Sequence, residues 1–113
     1  MNLKLNKKQI ERYSRQIILK NVGHLGQKKL IHSKVLIIGM GGLGCPVAEF
    51  LTRAGVGSLG IIDNDNINLS NLHRQSLFNN NDIKKSKVSV VKKKLRKINP
   101  KIKINCYKIR LNS

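Results

Sequence analysis

The fold is decided by the stretch Val35–Gly44, which reads VLIIGMGGLG. An apolar run typical of a buried β-strand is followed by glycines in the spacing G-x-G-x-x-G. In this motif Gly39 permits the tight turn, Gly41 lets a phosphate approach the backbone, and Gly44 lets the next helix pack close to the strand. The helix N-terminus adds free N–H groups and the positive end of its dipole. The motif therefore predicts a strand–helix turn that binds a nucleotide.

Length and composition limit the class of protein. The 113 residues, 40% of them hydrophobic, are enough for one domain with a modest core. The sequence has no apolar run of about 18 residues and no secretion signal, so we expect no membrane span. Cys45 and Cys106 lack C-x-x-C spacing. We therefore expect a cytoplasmic protein without a structural zinc site or a disulfide framework.

The net charge is +18, from 23 Lys and Arg against 5 Asp and Glu. One reading of this charge is nucleic-acid binding. We favour a compositional reading, because aromatic residues that could stack on bases are only 4% of the chain and no nucleic-acid-binding motif is present. An acidic protein partner is a third reading of the same charge.

The predicted elements begin with helices and then alternate strands with helices. The apolar periodicity predicts one or two helices over residues 7–20, a short helix over Leu25–Ile31, strands over Val35–Gly39 and Ser58–Ile62, helices over Gly42–Ala54 and Ser86–Ile98, and a third strand around residues 102–106. Residues 66–81 are expected to form a polar loop with short helical pieces. This order predicts an α/β fold with a Rossmann-like parallel sheet, β-α-β-α-β, preceded by N-terminal helices.

Both longer helices are expected to be amphipathic. The first carries four apolar residues on one side, Leu43, Val47, Phe50 and Leu51, and the second directs four inward, Val88, Val91, Leu95 and Ile98. Cys45, at the start of a packed helix, is expected in the core and not as a nucleophile. Because a parallel sheet is normally covered on both faces, we expect an apolar edge that needs a partner, or a longer protein of which this is the front part.

Polar and cationic groups follow the predicted strand ends, where ligands bind in open α/β sheets. Asp63 ends the second strand, in the position that normally hydrogen-bonds a ribose hydroxyl. Arg74, within the segment Ser70–Gln75, has a forked cation suited to phosphate oxygens, and Lys87 offers a second cation. This set favours chemistry at a triphosphate over hydride transfer.

The same residues carry a resemblance that extends over the chain from about Gln9 onward. The matching segments are Arg12–Ile17, Gly26–Gln27, Gly39–Gly44, Ala54–Gly57, Asp63, Ser70–Gln75, Lys87 and Ile98–Pro100. Together they resemble the N-terminal half of the ThiF/MoeB/HesA family, the bacterial relatives of ubiquitin-activating enzymes.

The resemblance implies an adenylyltransferase. Such an enzyme uses Mg-ATP to adenylate the C-terminal Gly-Gly carboxylate of a ubiquitin-like sulfur carrier protein, for thiamine thiazole or molybdopterin synthesis, and both pathways remain open. By resemblance, the catalytic residues are Arg15, Arg74 and Lys87, and the nucleotide-binding residues are Gly41, Gly42, Asp63, Asp65, Ser70, Asn71, Arg74 and Lys87. Arg15 would reach across a homodimer interface into the neighbour's ATP site.

Three of these residues have competing interpretations. Arg15 could be a solvated helix arginine, and Lys87 could belong to a solvated basic face, because it lies among other lysines. Asp65 could cap the loop instead of contacting the nucleotide or a metal. No residue is assigned to a metal.

The remaining expectation concerns what the resemblance places outside these 113 residues. Relatives continue with a magnesium-binding aspartate, the carrier-binding surface, paired C-x-x-C zinc motifs and a reactive cysteine. We therefore expect residues 1–113 to form the N-terminal ATP-binding part of a ThiF-type domain, with a helical lead-in (1–33) and a Rossmann-like half (34–113). This part is expected to be either truncated or completed by a C-terminal fragment. The alternatives are a non-catalytic or decayed nucleotide-binding module and a basic nucleic-acid-binding scaffold.

Overall fold

The computed structural model describes residues 4–73, 75 and 77–110. Its helices are α1 (Lys7–Arg12), α2 (Ser14–Ile17), α3 (Gly23–Ile31), α4 (Gly44–Ala54) and α5 (Lys87–Ile98). Its strands are β1 (Lys34–Ile38), β2 (Ser58–Ile62) and β3 (Lys103–Tyr107), and short 3₁₀ turns lie at Leu69–Asn71 and Asn80–Asp82. Every predicted element is present, and the boundaries differ by up to three residues, the largest difference being the end of the first helical region at Ile17 instead of residue 20. None of the helices in these ranges has the length and apolarity of a membrane span.

The three strands form one parallel sheet in the order β1-β2-β3. The register aligns their carboxyl ends, since Ile38 pairs with Ile62 and Ile62 pairs with Tyr107. The α/β prediction is therefore confirmed. The segments that follow the three strands, residues 39 onward, 63 onward and 108 onward, meet at one edge of the sheet.

The core lies between one face of the sheet and the helices α4 and α5. It includes fully or almost fully buried aliphatic residues from all these elements: Ile37, Ala48, Leu59, Ile61, Val88, Val91, Leu95 and Ile104. Helix α5 places Val88, Val91 and Leu95 inward as predicted, and Ile98 packs partly buried against the same cluster. The sheet and α5 therefore fix the loop that joins β2 to α5.

Helix α4 differs from the sequence expectation in the side that it buries. Cys45, Ala48 and Thr52 are fully buried, whereas three of the four predicted apolar residues on the other side, Leu43, Val47 and Phe50, are exposed. Leu36 and Ile38, on the second face of the sheet, are also more than half exposed. Small side chains face the sheet because the helix packs closely on the strand. The exposed apolar surface expected from the sequence is thus present.

The N-terminal helices are attached to the fold by a buried network of amides. The side-chain amide of Gln16 donates to Gln27 Oε1 and to the backbone oxygen of Ala54, both at 3.0 Å. The Asn99 amide donates to the hydroxyl oxygen of Tyr13 at 2.8 Å. Buried polar groups that are paired in this way fix a specific arrangement. The network therefore ties α2 to the C-terminal end of α4.

Candidate functional site

The glycine motif forms the turn between β1 and α4. Gly39 has φ +92°, in the left-handed region that favours glycine. A Cβ on Gly44 would lie 1.8 Å from the carbonyl oxygen of Gly39, so helix and turn are in direct contact there. A Cβ on Gly41 would meet nothing within 4 Å. The first and last glycines are thus required by the fold, while Gly41 faces open space that a ligand could fill.

Asp63 links the end of β2 to the glycine turn. Its Oδ2 accepts a hydrogen bond from the Met40 backbone N–H at 2.6 Å, and its Oδ1 accepts one from the Asp65 N–H at 2.7 Å. An ionised carboxylate has about four acceptor sites. The Asp63 carboxylate therefore orders the turn and retains capacity for a ribose hydroxyl.

Lys87 is buried at the start of α5, with only 5% of its surface exposed. Its Nζ lies 4.0 Å from Asp65 Oδ2, and its backbone N–H donates to the Asp65 backbone oxygen at 3.1 Å. The interpretation of Lys87 as part of a solvated basic face is therefore wrong. Burial of an ammonium group is costly unless an anion compensates it. The Asp65 carboxylate is 69% exposed and at the distance limit of an ion pair, so it compensates the buried charge only weakly.

The start of the loop after β2 runs alongside the segment before α5. The Ile67 N–H donates to the Lys85 backbone oxygen at 2.8 Å, and the Lys84 N–H donates to the Ile67 backbone oxygen at 2.7 Å. This pairing holds Asp65 beside Lys87. The structure therefore places Asp65 beside Lys87, and Asp65 also lines the cavity that contains Gly39.

The other end of the loop is fixed by an ion pair with α5. Lys94 Nζ donates to Asp82 Oδ2 at 2.5 Å and to the backbone oxygen of Leu77. Burial by itself raises the pKa of Asp82, but the hydrogen bonds from Lys94 and the Asn79 N–H, with the charges of Lys94 and Lys85, outweigh it and lower that pKa. The ion pair thus anchors the segment that follows the predicted phosphate-binding residues.

The predicted residues of the middle of the loop are only partly described. Asn71 is buried, and its Oδ1 accepts a hydrogen bond from the Asn68 N–H at 2.9 Å, so it stabilises its own turn. Ser70 lies in the same 3₁₀ turn and is exposed. Arg74 lies outside the described residues. Gln75 is buried, and its Oε1 has no hydrogen-bond partner among the described residues, which sequence reasoning did not anticipate.

Cys45 lies in the core next to the glycine turn. It is fully buried, and its Sγ donates to the Met40 backbone oxygen at 3.3 Å. Burial raises the pKa of the thiol to about 11, although the nearby Lys87 charge acts in the opposite direction. The expectation that Cys45 belongs to the core is confirmed.

A cavity of about 440 Å³ opens at the carboxyl edge of the sheet. Its lining comes from the ends of all three strands and the residues after them: Ile38, Gly39, Ile62, Asp63, Asn64, Asp65, Ile109 and Arg110. Sequence reasoning missed Ile109 and Arg110. The signal was available, because both follow the predicted third strand as Asp63 follows the second. The cavity joins glycine backbone, carboxylates, apolar surface and one arginine.

Arg15 is not part of this site. It lies exposed on α2, beside Gln16, which is bonded to Ala54 at the C-terminal end of α4. The glycine turn lies at the other end of that helix, about 15 Å away along its axis. A role for Arg15 at a glycine turn therefore requires a second copy of the chain.

Metal ligands are sparse in the described ranges. No group of three or more His, Cys, Asp or Glu side chains there is arranged to hold a metal ion. These residues do not fit a complete Mg²⁺ site, so no chemical step is assigned through a bound metal.

The chain is similar in sequence to proteins of one family. A sequence model of the ThiF family matches residues 13–113. The chain is 40% identical over 111 residues to a sulfur carrier protein adenylyltransferase of Thermus thermophilus, and 47% identical over 107 residues to the sulfur carrier protein ThiS adenylyltransferase of Escherichia coli. These alignments cover 98% and 95% of the chain but 41% and 43% of the relatives.

A solved structure has the same fold. A crystal structure of E. coli MccB with ATP superposes with a TM-score of 0.83 and 36% sequence identity, covering 96% of the chain and 33% of that protein. The chain thus spans about two fifths or less of the length of each of these proteins.

Proposed function

The chain belongs to the ThiF family, and from this premise we propose that it is the ATP-binding part of a sulfur-carrier-protein adenylyltransferase. Residues 1–33 form its helical lead-in and residues 34–113 its Rossmann-like half. The proposal extends to a cytoplasmic location, in keeping with the two free cysteines among the described residues. The relatives named above are adenylyltransferases for sulfur carriers.

The observation that carries the proposal is the buried Lys87. Its ammonium group lies at the carboxyl edge of the sheet, and within residues 4–73, 75 and 77–110 the one carboxylate paired with it is the distant, exposed Asp65. A triphosphate on the glycine turn would supply the missing negative charge, and the open space at Gly41 leaves room for its oxygens. ATP is supported as the nucleotide by the MccB structure solved with ATP.

The proposed reaction is attack of a carrier's C-terminal Gly-Gly carboxylate on the α-phosphate of ATP. A carboxylate oxygen forms a bond to Pα, the bond from Pα to the bridging oxygen of the leaving group breaks, and pyrophosphate departs. A carboxylate is a weak nucleophile, so alignment and charge neutralisation must supply the catalysis. We assign neutralisation to Lys87 and Arg74, ribose positioning to Asp63, and further phosphate contacts to the backbone of Gly41 and Gly42 and to Ser70 and Asn71. Asp65 orients Lys87. Mg²⁺ bound with ATP would neutralise further phosphate charge.

The partner proposal includes a second polypeptide beside the carrier. Arg15 lies on α2, which is bonded to the C-terminal end of α4, while the glycine turn lies at the other end of that helix, about 15 Å along its axis. Its catalytic role is therefore proposed in a homodimer, in the neighbour's site. A complementary C-terminal fragment is the other proposed partner. The carrier is a ubiquitin-like protein of thiamine thiazole or molybdopterin synthesis.

The test is ATP–pyrophosphate exchange. The purified protein is incubated with Mg-ATP, labelled pyrophosphate and a ubiquitin-like carrier that ends in Gly-Gly, and a carrier without the last glycine serves as the control. Label that enters ATP only with the intact carrier supports the adenylyltransferase. ATP binding without exchange would identify a non-catalytic nucleotide module. Salt-sensitive binding of random duplex DNA without ATP binding would identify the basic nucleic-acid-binding scaffold.

A further inference from the structure

Helix α2 carries Arg15 and is too short to set its own orientation. It has four residues, Ser14–Ile17, and none of them is buried. A single helical turn is unstable in water, because forming the first turn fixes several residues for one hydrogen bond. The direction in which Arg15 projects is therefore set by the contacts that α2 makes with the rest of the fold.

Gln16, the residue after Arg15, makes such a contact at the C-terminal end of α4. Its Nε2 donates to Gln27 Oε1 and to the Ala54 backbone oxygen, both at 3.0 Å. Gln27 is fully buried, and its own Nε2 donates to the same Ala54 oxygen at 2.9 Å. The side chains of Gln16 and Gln27 and the Ala54 oxygen thus form an amide cluster that joins α2, α3 and α4.

Tyr13 holds the other end of α2. It is 4% exposed, and its hydroxyl oxygen accepts a hydrogen bond from Asn99 Nδ2 at 2.8 Å. A Cβ on Gly55 would lie 2.6 Å from the Tyr13 ring and 2.7 Å from Gln27 Nε2, so both side chains pack directly on the backbone that ends α4. The residues on either side of Arg15 are therefore attached to the same end of α4.

We propose that the amide cluster and Tyr13 position Arg15 for the ATP site of a second copy of the chain, an inference that rests on the proposed function. Arg15 is exposed, and within residues 4–73, 75 and 77–110 no carboxylate forms an ion pair with it. Gln16 and Tyr13 are positioning residues that do not contact the nucleotide. They restrict the orientation of α2, so that less conformational freedom is lost when the guanidinium binds the neighbour's phosphates.

The alternative role of these contacts is to stabilise the fold alone. In that case their loss lowers the free energy of unfolding but leaves the ATP affinity of the folded molecules unchanged. A positioning role lowers that affinity, and it does so only while Arg15 is present.

The experiment measures ATP binding by calorimetry for the wild type, Arg15→Ala, Gln16→Met, the double variant and the control Gln9→Met. Methionine keeps the length of glutamine but lacks its amide. Gln9 also loses a hydrogen bond in this substitution, the one that its Oε1 accepts from the Asn6 N–H, but it lies outside the amide cluster. All titrations use one protein concentration, because dimerisation depends on it. The stoichiometry reports the folded fraction, so the Kd refers to folded protein.

We expect Arg15→Ala to raise the ATP Kd about tenfold, the loss expected for one hydrogen bond between charged groups. Gln16→Met should raise it about threefold or more, the effect of one side chain that must be ordered on binding. Gln9→Met should leave the Kd unchanged. The double variant should bind ATP as weakly as Arg15→Ala and no more weakly, because Gln16 acts through Arg15.

Tyr13→Phe is a second variant that disturbs the fold less than Gln16→Met. It removes only the hydroxyl group, and Asn99 Nδ2 keeps its hydrogen bond to the Thr52 backbone oxygen at 3.1 Å. Its ATP Kd should rise about twofold or more. The rise should disappear when Tyr13→Phe is combined with Arg15→Ala.

Three results would overturn the inference. A wild-type ATP Kd in both Gln16→Met and Tyr13→Phe would make these contacts structural only. Losses that multiply with that of Arg15→Ala would show that they act independently of the arginine, and an unchanged Kd in Arg15→Ala would remove it from the neighbour's site. In all three cases saturable ATP binding by the wild type leaves the proposed ATP site in place. Absence of that binding would refute the proposed function, and this inference with it.

Discussion

The Asp63 carboxylate accepts a hydrogen bond at 2.6 Å from the Met40 backbone N–H and thereby joins the end of β2 to the glycine turn after β1. Met40 is itself fully buried, and its backbone oxygen accepts the thiol hydrogen of Cys45. The glycine turn is thus held from two sides before any ligand binds. Asp63, which is assigned to ribose binding, therefore also stabilises the turn. Experiments on Asp63 variants must measure stability and nucleotide binding separately.

The first prediction concerns Asp63→Asn. The amide has one acceptor oxygen instead of two, so one of the N–H groups of Met40 and Asp65 loses its partner. Hydrogen bonds to a charged group contribute about 1.5–3 kcal/mol, and we expect a loss of that order in the free energy of unfolding. Urea denaturation followed by circular dichroism measures it. An unchanged urea midpoint would show that the carboxylate does not support the turn.

The second prediction separates the glycines of the motif. Gly44→Ala places a Cβ against the Gly39 carbonyl and should lower the free energy of unfolding by about 1–3 kcal/mol or more, because neither backbone can yield cheaply. Gly41→Ala points into open space and should change it by less than about 0.5 kcal/mol. Its methyl group should nevertheless weaken ATP binding. Similar stability losses in the two variants, measured in urea, would contradict this division.

The third prediction is a pH dependence that arises from Asp82. Because its pKa is lowered in the folded state, its contribution to stability is present above the unfolded pKa of about 3.9 and is lost as the pH falls through the folded value. We expect Asp82→Asn to flatten the decline of the urea midpoint below about pH 4. The control is Glu49→Gln, which breaks the more exposed pair with Arg53 and should shift the midpoint little. Parallel pH profiles for wild type and Asp82→Asn would refute the role of the pair.

The fourth prediction concerns the reactivity of Cys45. With a pKa of about 11 and no exposed surface, the thiol should be alkylated by iodoacetamide at neutral pH far more slowly in the native protein than in urea. Mass spectrometry of the modified peptides reads the two rates. Rapid native labelling of Cys45 would indicate an accessible thiolate and return it to the candidates for a nucleophile.

Much of the fold could be predicted because local patterns and packing agree. The run Val35–Gly44 predicts a strand, a glycine turn and a helix, and the apolar spacing in residues 86–98 predicts an amphipathic helix. The structure has all of these elements. The buried side of α4 could not be found from hydrophobicity, since close packing on the strand selects Ala48 and Thr52 over the larger Phe50. Helix periodicity alone does not say which side faces the sheet.

The sequence predicts which residue types form the site, but not how deeply they are buried or which groups they contact. Glycines and Asp63 follow directly from the motif, but burial of Lys87 depends on how the loop before α5 pairs with residue 67, which no local pattern reveals. The sequence also does not show which residues of the segments Arg12–Ile17 and Ile98–Pro100 are structural and which are exposed. Tyr13, Gln16 and Asn99 belong to hydrogen bonds that attach the N-terminal helices, while Arg15 between them is exposed.

The most direct test of the account is calorimetric titration of ATP into the wild type, Lys87→Met and Lys85→Met. Methionine fills the buried space of Lys87 without a charge and should leave stability near or above that of the wild type, while Lys85, exposed two residues earlier, controls for the lost charge. The account predicts saturable binding by the wild type and by Lys85→Met, and at least a tenfold weaker Kd for a folded Lys87→Met. Equal affinity of Lys87→Met and Lys85→Met would contradict the claim that the buried lysine receives the phosphates.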